Sequence, residues 1–118
     1  MNYLKIADLG TIQKRLNNAE KENKVTITRS QRKFYLQMMA YFIAKPFESK
    51  DEDGNLKCHL SVKQLAAFTG LPLRTTVLCI AALVKCGVII RQGGSLQYGN
   101  ITTTVFPKKY WHEQQGGS

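Results

Sequence analysis

The spacing of apolar residues changes along the chain, and each change predicts a different element. At the N-terminus, apolar side chains recur every three or four residues, which is typical of one face of a helix; they are Ile6, Leu9, Ile12 and Leu16. Residues 17–24 are polar and predict a loop or a frayed helix end. Residues 25–28 alternate and include β-branched side chains, which favours a short strand.

A long apolar helix is predicted next. It starts at Ser30, whose hydroxyl can cap the first turn, and it ends before Pro46, which lacks a backbone N–H group. Its apolar side chains cover more than one stripe: Phe34, Tyr35, Met38, Met39, Tyr41, Phe42 and Ile43. This pattern indicates burial on two sides, one against the core and the other against the N-terminal segment or a second subunit. Residues 47–57 then form an acidic loop with an Asp53-Gly54 turn.

Two helices joined by a tight turn follow the acidic loop. Ser61 and Gln64 have the spacing of a capping box, and Gly70 supplies the left-handed residue that ends the first helix. The predicted core residues of this helix are Leu65, Ala66 and Phe68. Pro72 suits the first turn of the second helix, which Gly87 ends. The predicted inner face of the second helix consists of Thr76, Ile80, Leu83 and Val84.

Two strands complete the pattern. Residues 88–91 form the first strand, and a Gly99-Asn100 turn suits a hairpin that returns through residues 101–106. Ile101, Thr103 and Val105 alternate with Thr102, Thr104 and Phe106, which predicts a half-buried strand. A basic and aromatic segment, residues 108–111, follows Pro107.

These elements predict an α+β fold that is mainly helical. Residues 1–28 are expected to form a partly helical N-terminal extension, and residues 29–111 a single domain. Residues 112–118 are expected to be a disordered tail.

The charge balance points to an anionic partner. The 118-residue chain has a net charge of +9, which favours nucleic acid through counterion release. The charge is also uneven, because residues 54–112 contain no acidic residue. Phosphates repel carboxylates, so a surface that faces DNA is expected to exclude them. The cations of this acid-free module are Lys57, Lys63, Arg74, Lys85, Arg91, Lys108 and Lys109.

The sequence argues against several other function classes. The three cysteines lack Cys-X-X-Cys spacing, which disfavours a disulfide framework and a zinc finger. Cys79 and Cys86 fit the helix pattern as buried thiols. Neither His59 nor His112 has a plausible catalytic neighbour in the sequence, and no apolar run approaches ~18 residues. We therefore expect a cytoplasmic protein that is not an enzyme and uses no metal, cofactor, membrane or small-molecule substrate.

A series of short motifs occupies the central region of the chain, with short gaps between them. They are the helix over residues 34–44, Asp53-Gly54, Ser61, Leu65-Ala66, Gly70-Leu71, Arg74-Thr75, and Leu83 followed after three residues by Gly87-Val88-Ile89. In this order residues 29–106 resemble the winged helix-turn-helix modules of plasmid and phage replication initiators, transfer-origin-binding proteins and related bacterial regulators. The resemblance implies a three-helix core with a β-hairpin wing. It also implies sequence-specific binding of double-stranded DNA at a replication origin, a transfer origin or an operator.

One departure from this family changes the expected contacts. The exposed face of the recognition helix usually carries polar side chains that read base edges, but here it carries Val77, Leu78, Ala81 and Ala82. Apolar side chains cannot hydrogen-bond to bases, so we expect the wing to dominate recognition. The candidate DNA-binding residues are Lys63, Arg74, Thr75, Arg91, Gln92, Ser95, Gln97, Tyr98, Asn100, Lys108 and Lys109.

The cations of this set have separate expected roles. Lys63 would hold a phosphate beside a helix N-terminus, and Arg74 would reach a guanine or a phosphate. Arg91 would enter the minor groove with the wing, and Lys108 and Lys109 would clamp the DNA backbone.

Three further interpretations remain open. The same module could be a protein-interaction winged helix within a replication or conjugation complex, bound through its apolar recognition helix. Tyr98, Tyr110 and Trp111 could stack on single-stranded DNA. A homodimer is also expected, because one such module has a small DNA footprint. The apolar residues available for a dimer interface are Ile6, Leu9, Ile12, Leu16, Tyr35, Met39, Phe42, Val77 and Leu78.

Overall fold

The computed structural model describes residues 8–44, 53–58, 61–92 and 103–112, with only the backbone described at 42–44 and 103. Its elements are α1 (Leu9–Asn23), α2 (Arg29–Ala44), β1 (Leu56–Cys58), α3 (Val62–Thr69), α4 (Leu73–Cys86), β2 (Ile90–Gln92), β3 (Thr103–Phe106) and a 3-10 helix (Lys108–Tyr110). The predicted stop at Pro46, the hairpin turn at Gly99-Asn100 and the tail beyond His112 lie outside the described residues. The mainly helical α+β class is confirmed.

The strands form one antiparallel sheet in the order β1-β3-β2. Leu56 lies opposite Phe106, and Arg91 lies opposite Thr104. β1 falls in a segment that was predicted as loop, and that prediction is wrong because these residues pair with β3, a strand almost fifty residues further along the chain. The predicted half-buried strand is also wrong. Thr104, Val105 and Phe106 are all buried, because β3 is the central strand of the sheet.

α1 is longer than its apolar stripe predicted. It begins after Asp8, whose side chain accepts a hydrogen bond from the Thr11 backbone N–H at 2.8 Å. It continues through residues 17–23, where a loop or a frayed helix end was expected, and ends at Lys24 in the left-handed conformation. The loop prediction is wrong because Ala19 extends the buried stripe of Ile12 and Leu16 by one turn.

Residues 25–28 connect α1 to α2 and do not form the predicted strand. Thr28 caps α2: its backbone N–H donates to Gln31 Oε1 at 2.9 Å, and the Gln31 backbone N–H donates to Thr28 Oγ1 at 3.3 Å. This reciprocal pair is a capping box. Ser30, the predicted cap, lies inside the helix, so that prediction is wrong by two residues.

α2 is buried on two sides because α1 packs on one of them and α4 on the other. Its core side chains Phe34, Tyr35, Met38 and Met39 are at most 2% exposed. The N-terminal segment therefore covers the second side within the same chain. Ile12, Leu16, Tyr35 and Met39, which were predicted as dimer surface, belong to the core instead.

The aromatic residues after β3 also belong to the core. Tyr110 and Trp111 are 5% and 1% exposed, and the Trp111 indole N–H donates to the Phe106 carbonyl at 2.6 Å. The 3-10 helix that carries Tyr110 packs against α1. The prediction that these two rings stack on single-stranded DNA is therefore wrong, because neither ring is accessible. Tyr98 lies outside the described residues.

α3 and α4 follow the predicted boundaries closely. The Ser61–Gln64 capping box is present, and Gly70 and Gly87 are left-handed C-caps. Thr76, Ile80 and Leu83 are buried as predicted. The core predictions for Phe68 and Val84 are wrong, since these side chains are 44% and 39% exposed. Phe68 packs edge-on against Tyr41 of α2 at the surface.

The two helices meet at a bend of 106°. Among the described residues no single helix is long and apolar enough to cross a membrane, and only the bent pair α3–α4 has the length and composition for it.

Candidate nucleic-acid interface

The N-terminus of α3 presents a cation beside first-turn N–H groups that have no acceptor within the helix. The Gln64 backbone N–H donates to Ser61 Oγ at 3.1 Å, and Gln64 Oε1 accepts from the Ser61 backbone N–H at 2.8 Å. The N–H groups of Val62 and Lys63 have no carbonyl four residues earlier within the helix. Lys63 is exposed, and the first turn carries no acidic residue. This end of α3 can therefore attract an anion.

Arg74 and Thr75 lie at the first turn of α4. Arg74 is exposed, whereas Thr75 is half-buried. Pro72 occupies the N-cap position and gives no side-chain cap, and its carbonyl accepts a hydrogen bond from the Thr76 hydroxyl at 3.0 Å. Lys63 lies in the first turn of α3, and Arg74 follows the other end of this helix. The helix is about 12 Å long, at ~1.5 Å per residue.

β2 carries Arg91 and Gln92 at the edge of the sheet. Gln92 is exposed, and Arg91 is half-buried opposite Thr104. The Arg91 Nε atom is buried and has no hydrogen-bond partner among the described residues. Burying such a donor costs free energy unless a partner is supplied. Ser95, Gln97, Tyr98 and Asn100 lie outside the described residues.

Lys108 and Lys109 are exposed, but they lie beyond the opposite end of β3 from Gln92. The Lys108 backbone N–H donates to Asn55 Oδ1 at 2.9 Å, beside β1. Lys109 Nζ lies 3.5 Å from Glu22 Oε2 and 4.8 Å from the centre of the Tyr110 ring. Hydrogen bonding to Tyr110 raises the pKa of Lys109, and the Glu22 carboxylate adds to this effect.

The sheet therefore separates Arg91 of β2 from the two lysines that follow β3. Lys108 follows Phe106 by two residues, whereas Gln92 is paired with Thr103 at the other end of the strand. At ~3.3 Å per residue, β3 spans about 10 Å from Thr103 to Phe106, and Lys108 lies beyond that end.

The solvent-facing side of α4 is mainly apolar, as the sequence predicted. Leu73, Val77, Leu78 and Val84 are 47%, 46%, 60% and 39% exposed. Ala81 is also exposed, whereas Ala82 is half-buried. Arg74 and Lys85 are the cations on this side of the helix. We call the exposed apolar residues of this helix the α4 face: Leu73, Val77, Leu78, Ala81 and Val84.

The sequence pattern did not point to a second group of cations. Arg29, Arg32 and Lys33 of α2 line a cleft against α1, together with Gln13 and Leu36. Their spacing at i, i+3 and i+4 on one helix face was visible in the sequence. The cleft itself was not, because it depends on how α1 packs.

The described residues contain no group of three or more His, Cys, Asp or Glu side chains that could hold a metal ion. Burial raises the pKa of the Cys79 and Cys86 thiols, which suits inert core residues. No protein-family model, no curated protein and no solved structure matches this chain.

Proposed function

We propose that this protein is a winged helix-turn-helix module that binds specific sites in double-stranded DNA. The observation that carries the proposal is the bent pair α3–α4, which meets at 106° and lies in a stretch, residues 54–112, that contains no acidic residue. The two helices of a helix-turn-helix typically cross at about 90–120°. The order α2-β1-α3-α4-β2-β3, with β3 between β1 and β2, also suits a winged module.

In this proposal the DNA backbone and the bases are contacted by different elements. Lys63 with the α3 N-terminus and Arg74 hold phosphates. Arg91 and Gln92 lead into the wing, where Ser95, Gln97, Tyr98 and Asn100 read the bases. The α4 face is hydrocarbon and cannot accept or donate a hydrogen bond, so it reads no base edge. Lys109 contributes least, because Glu22 already partners it.

The natural target is a replication origin, a transfer origin or an operator. This part of the proposal rests on the resemblance of residues 29–106 to plasmid and phage modules. A footprint on DNA that flanks the coding region tests it directly, since such proteins often act near their own genes.

Wing variants should weaken specific binding more than variants of the α4 face. Arg91→Ala and Asn100→Ala should each cost about 1–3 kcal/mol at a selected site for every base that the side chain reads, with a smaller cost on random DNA. Leu78→Ala is the comparison on the α4 face, made at protein concentrations where sedimentation shows the same assembly state for every variant. Leu9→Ala is the matched control, because it removes an exposed apolar side chain outside both the wing and the α4 face. If the wing variants bind the selected site as tightly as Leu9→Ala does, the wing does not read the bases.

The α4 face supports a second proposal, that a second copy of the chain occupies it. Most of the exposed large apolar side chains in the described residues lie between Phe68 and Ile90, and the α4 face holds the majority of these. Exposed apolar surface of this kind marks an interface. Pairing two modules would raise DNA affinity through effective concentration.

Sedimentation at micromolar protein tests the dimer. Leu78→Glu should convert it to a monomer, whereas Leu9→Glu, at a 40% exposed position on α1, should leave it intact. If the unaltered chain is a monomer and binds two half-sites without cooperativity, the dimer proposal is contradicted. If the unaltered chain is a monomer and binds no DNA, the alternative function is favoured, in which the α4 face docks another protein of a replication or conjugation complex.

A further inference from the structure

A cleft of about 440 Å³ opens between α1 and the first half of α2. Gln13 lines it from α1, and Arg29, Arg32, Lys33 and Leu36 line it from α2. Neither helix carries any residue that we assign to DNA contact. None of the described residues that line the cleft carries a carboxylate; they supply three cations, one amide and one apolar side chain.

The cations form a single stripe on α2. Arg29, Arg32, Lys33 and Leu36 follow the spacing i, i+3, i+4 and i+7, which places them on one face of the helix. Like charges at this spacing repel each other, and cations near a helix N-terminus oppose the helix dipole. The first turn of α2 has no acidic residue to relieve this repulsion. A bound anion would relieve it.

Arg32 is fixed in place by its neighbours. Its Nε donates to the Ile27 carbonyl at 3.3 Å, and its Nη2 forms an ion pair with Glu20 Oε1. The other Glu20 oxygen accepts a hydrogen bond from the Ile27 backbone N–H at 2.7 Å. Glu20 therefore balances the charge of Arg32, and both of its oxygens are engaged.

Arg29 and Lys33 have no carboxylate partner among the described residues. Gln13 is exposed and supplies an amide donor from the facing helix, and the partly buried Leu36 forms an apolar wall. Two uncompensated cations, an amide donor and a fixed guanidinium suit a small, multiply charged oxyanion.

We propose that this cleft binds a phosphate group. The phosphate could belong to the backbone of bound DNA or to a small phosphate compound such as a nucleotide. Only the first source rests on the proposed DNA-binding function.

Pyrophosphate is the probe for the cleft itself. Titration of the full-length chain, followed by ¹H–¹⁵N NMR, should give saturable shifts in the amides of residues 29–33 and in the Gln13 side-chain amide. Sodium chloride at matched ionic strength should not. Arg29→Gln combined with Lys33→Gln should weaken pyrophosphate binding at least tenfold.

The matched control is Lys14→Gln combined with Lys21→Gln. It removes the same charge from exposed positions on α1 that do not line the cleft, so pyrophosphate binding should persist. The proposal is overturned if the shifts follow ionic strength alone, or if the two double variants lose affinity equally.

The dependence of DNA affinity on salt identifies the source of the phosphate. If the cleft holds DNA, Arg29→Gln with Lys33→Gln should reduce the slope of log affinity against log salt by about 1–2, and the control variant should reduce it less. An unchanged slope with intact pyrophosphate binding assigns the cleft to a small phosphate compound. Pyrophosphate binding in a chain that binds no DNA supports the cleft and contradicts the proposed function.

Discussion

Tyr35 is completely buried, and its hydroxyl has no hydrogen-bond partner among the described residues. Its ring packs edge-on against Phe106, with 5.8 Å between the ring centres. The ring therefore contributes apolar contact, while the hydroxyl carries an uncompensated desolvation cost. Tyr35→Phe should raise the free energy of unfolding by about 1 kcal/mol, measured by urea denaturation at neutral pH. A loss of stability instead would mean that the hydroxyl makes a favourable contact.

The same residue predicts a pH dependence. Burial raises the pKa of Tyr35 well above its ordinary value, with Tyr110 adding to this and Arg15 opposing it. The folded state therefore holds the phenol proton more tightly than the unfolded state does. Below about pH 10 the phenol is protonated in both states, and its contribution to the free energy of unfolding is fully present. Above that pH the free energy of unfolding falls by up to ~1.4 kcal/mol per pH unit. Urea denaturation between pH 9 and 11 should show a shallower fall for Tyr35→Phe than for the unaltered chain.

At the scale of elements, α1 is held by one buried stripe. Leu16 is fully buried, whereas Leu9 of the same predicted stripe is 40% exposed. Leu16→Ala should reduce the free energy of unfolding by about 2–5 kcal/mol, because it removes core contacts and leaves a cavity. Leu9→Ala makes the same chemical change at the exposed position and should stay within about 0.5 kcal/mol. Equal effects in thermal or urea denaturation would show that α1 does not pack as described.

The helix boundaries show where local signals suffice. Ser61, Gly70 and Gly87 act within one turn of their own helices, so the sequence predicted them correctly. Ser30 was a misassigned cap, because Thr28 and Gln31 satisfy the same pattern two residues earlier. Phe68 and Val84 were assigned to the core from their apolar character and helical spacing. Their exposure depends on which neighbouring helix covers each face, which spacing does not encode.

At the scale of the whole molecule, a single core joins the two ends of the described chain. Ile12 and Leu16 of α1 share it with Phe106 and Trp111. We therefore expect one cooperative unfolding transition. The fluorescence of Trp111, the one tryptophan in the sequence, should change at the same urea concentration as the far-ultraviolet circular dichroism. An earlier change in fluorescence would indicate that the segment after β3 detaches before the helices unfold.

Local signals in the chain were enough to predict the mainly helical class, the caps of α3, the ends of α3 and α4, the acid-free module and the apolar character of the α4 face. Each of these depends on residues close together in the chain or on composition. Packing between distant segments was needed to make residues 17–23 helical, to make residues 56–58 a strand, and to bury Tyr110 and Trp111. The same packing placed Lys108 and Lys109 at the other end of β3 from Gln92 and formed the cleft beside Arg29. These contacts contribute free energy only when distant segments pack together in the folded core, so no local pattern in the sequence predicts them.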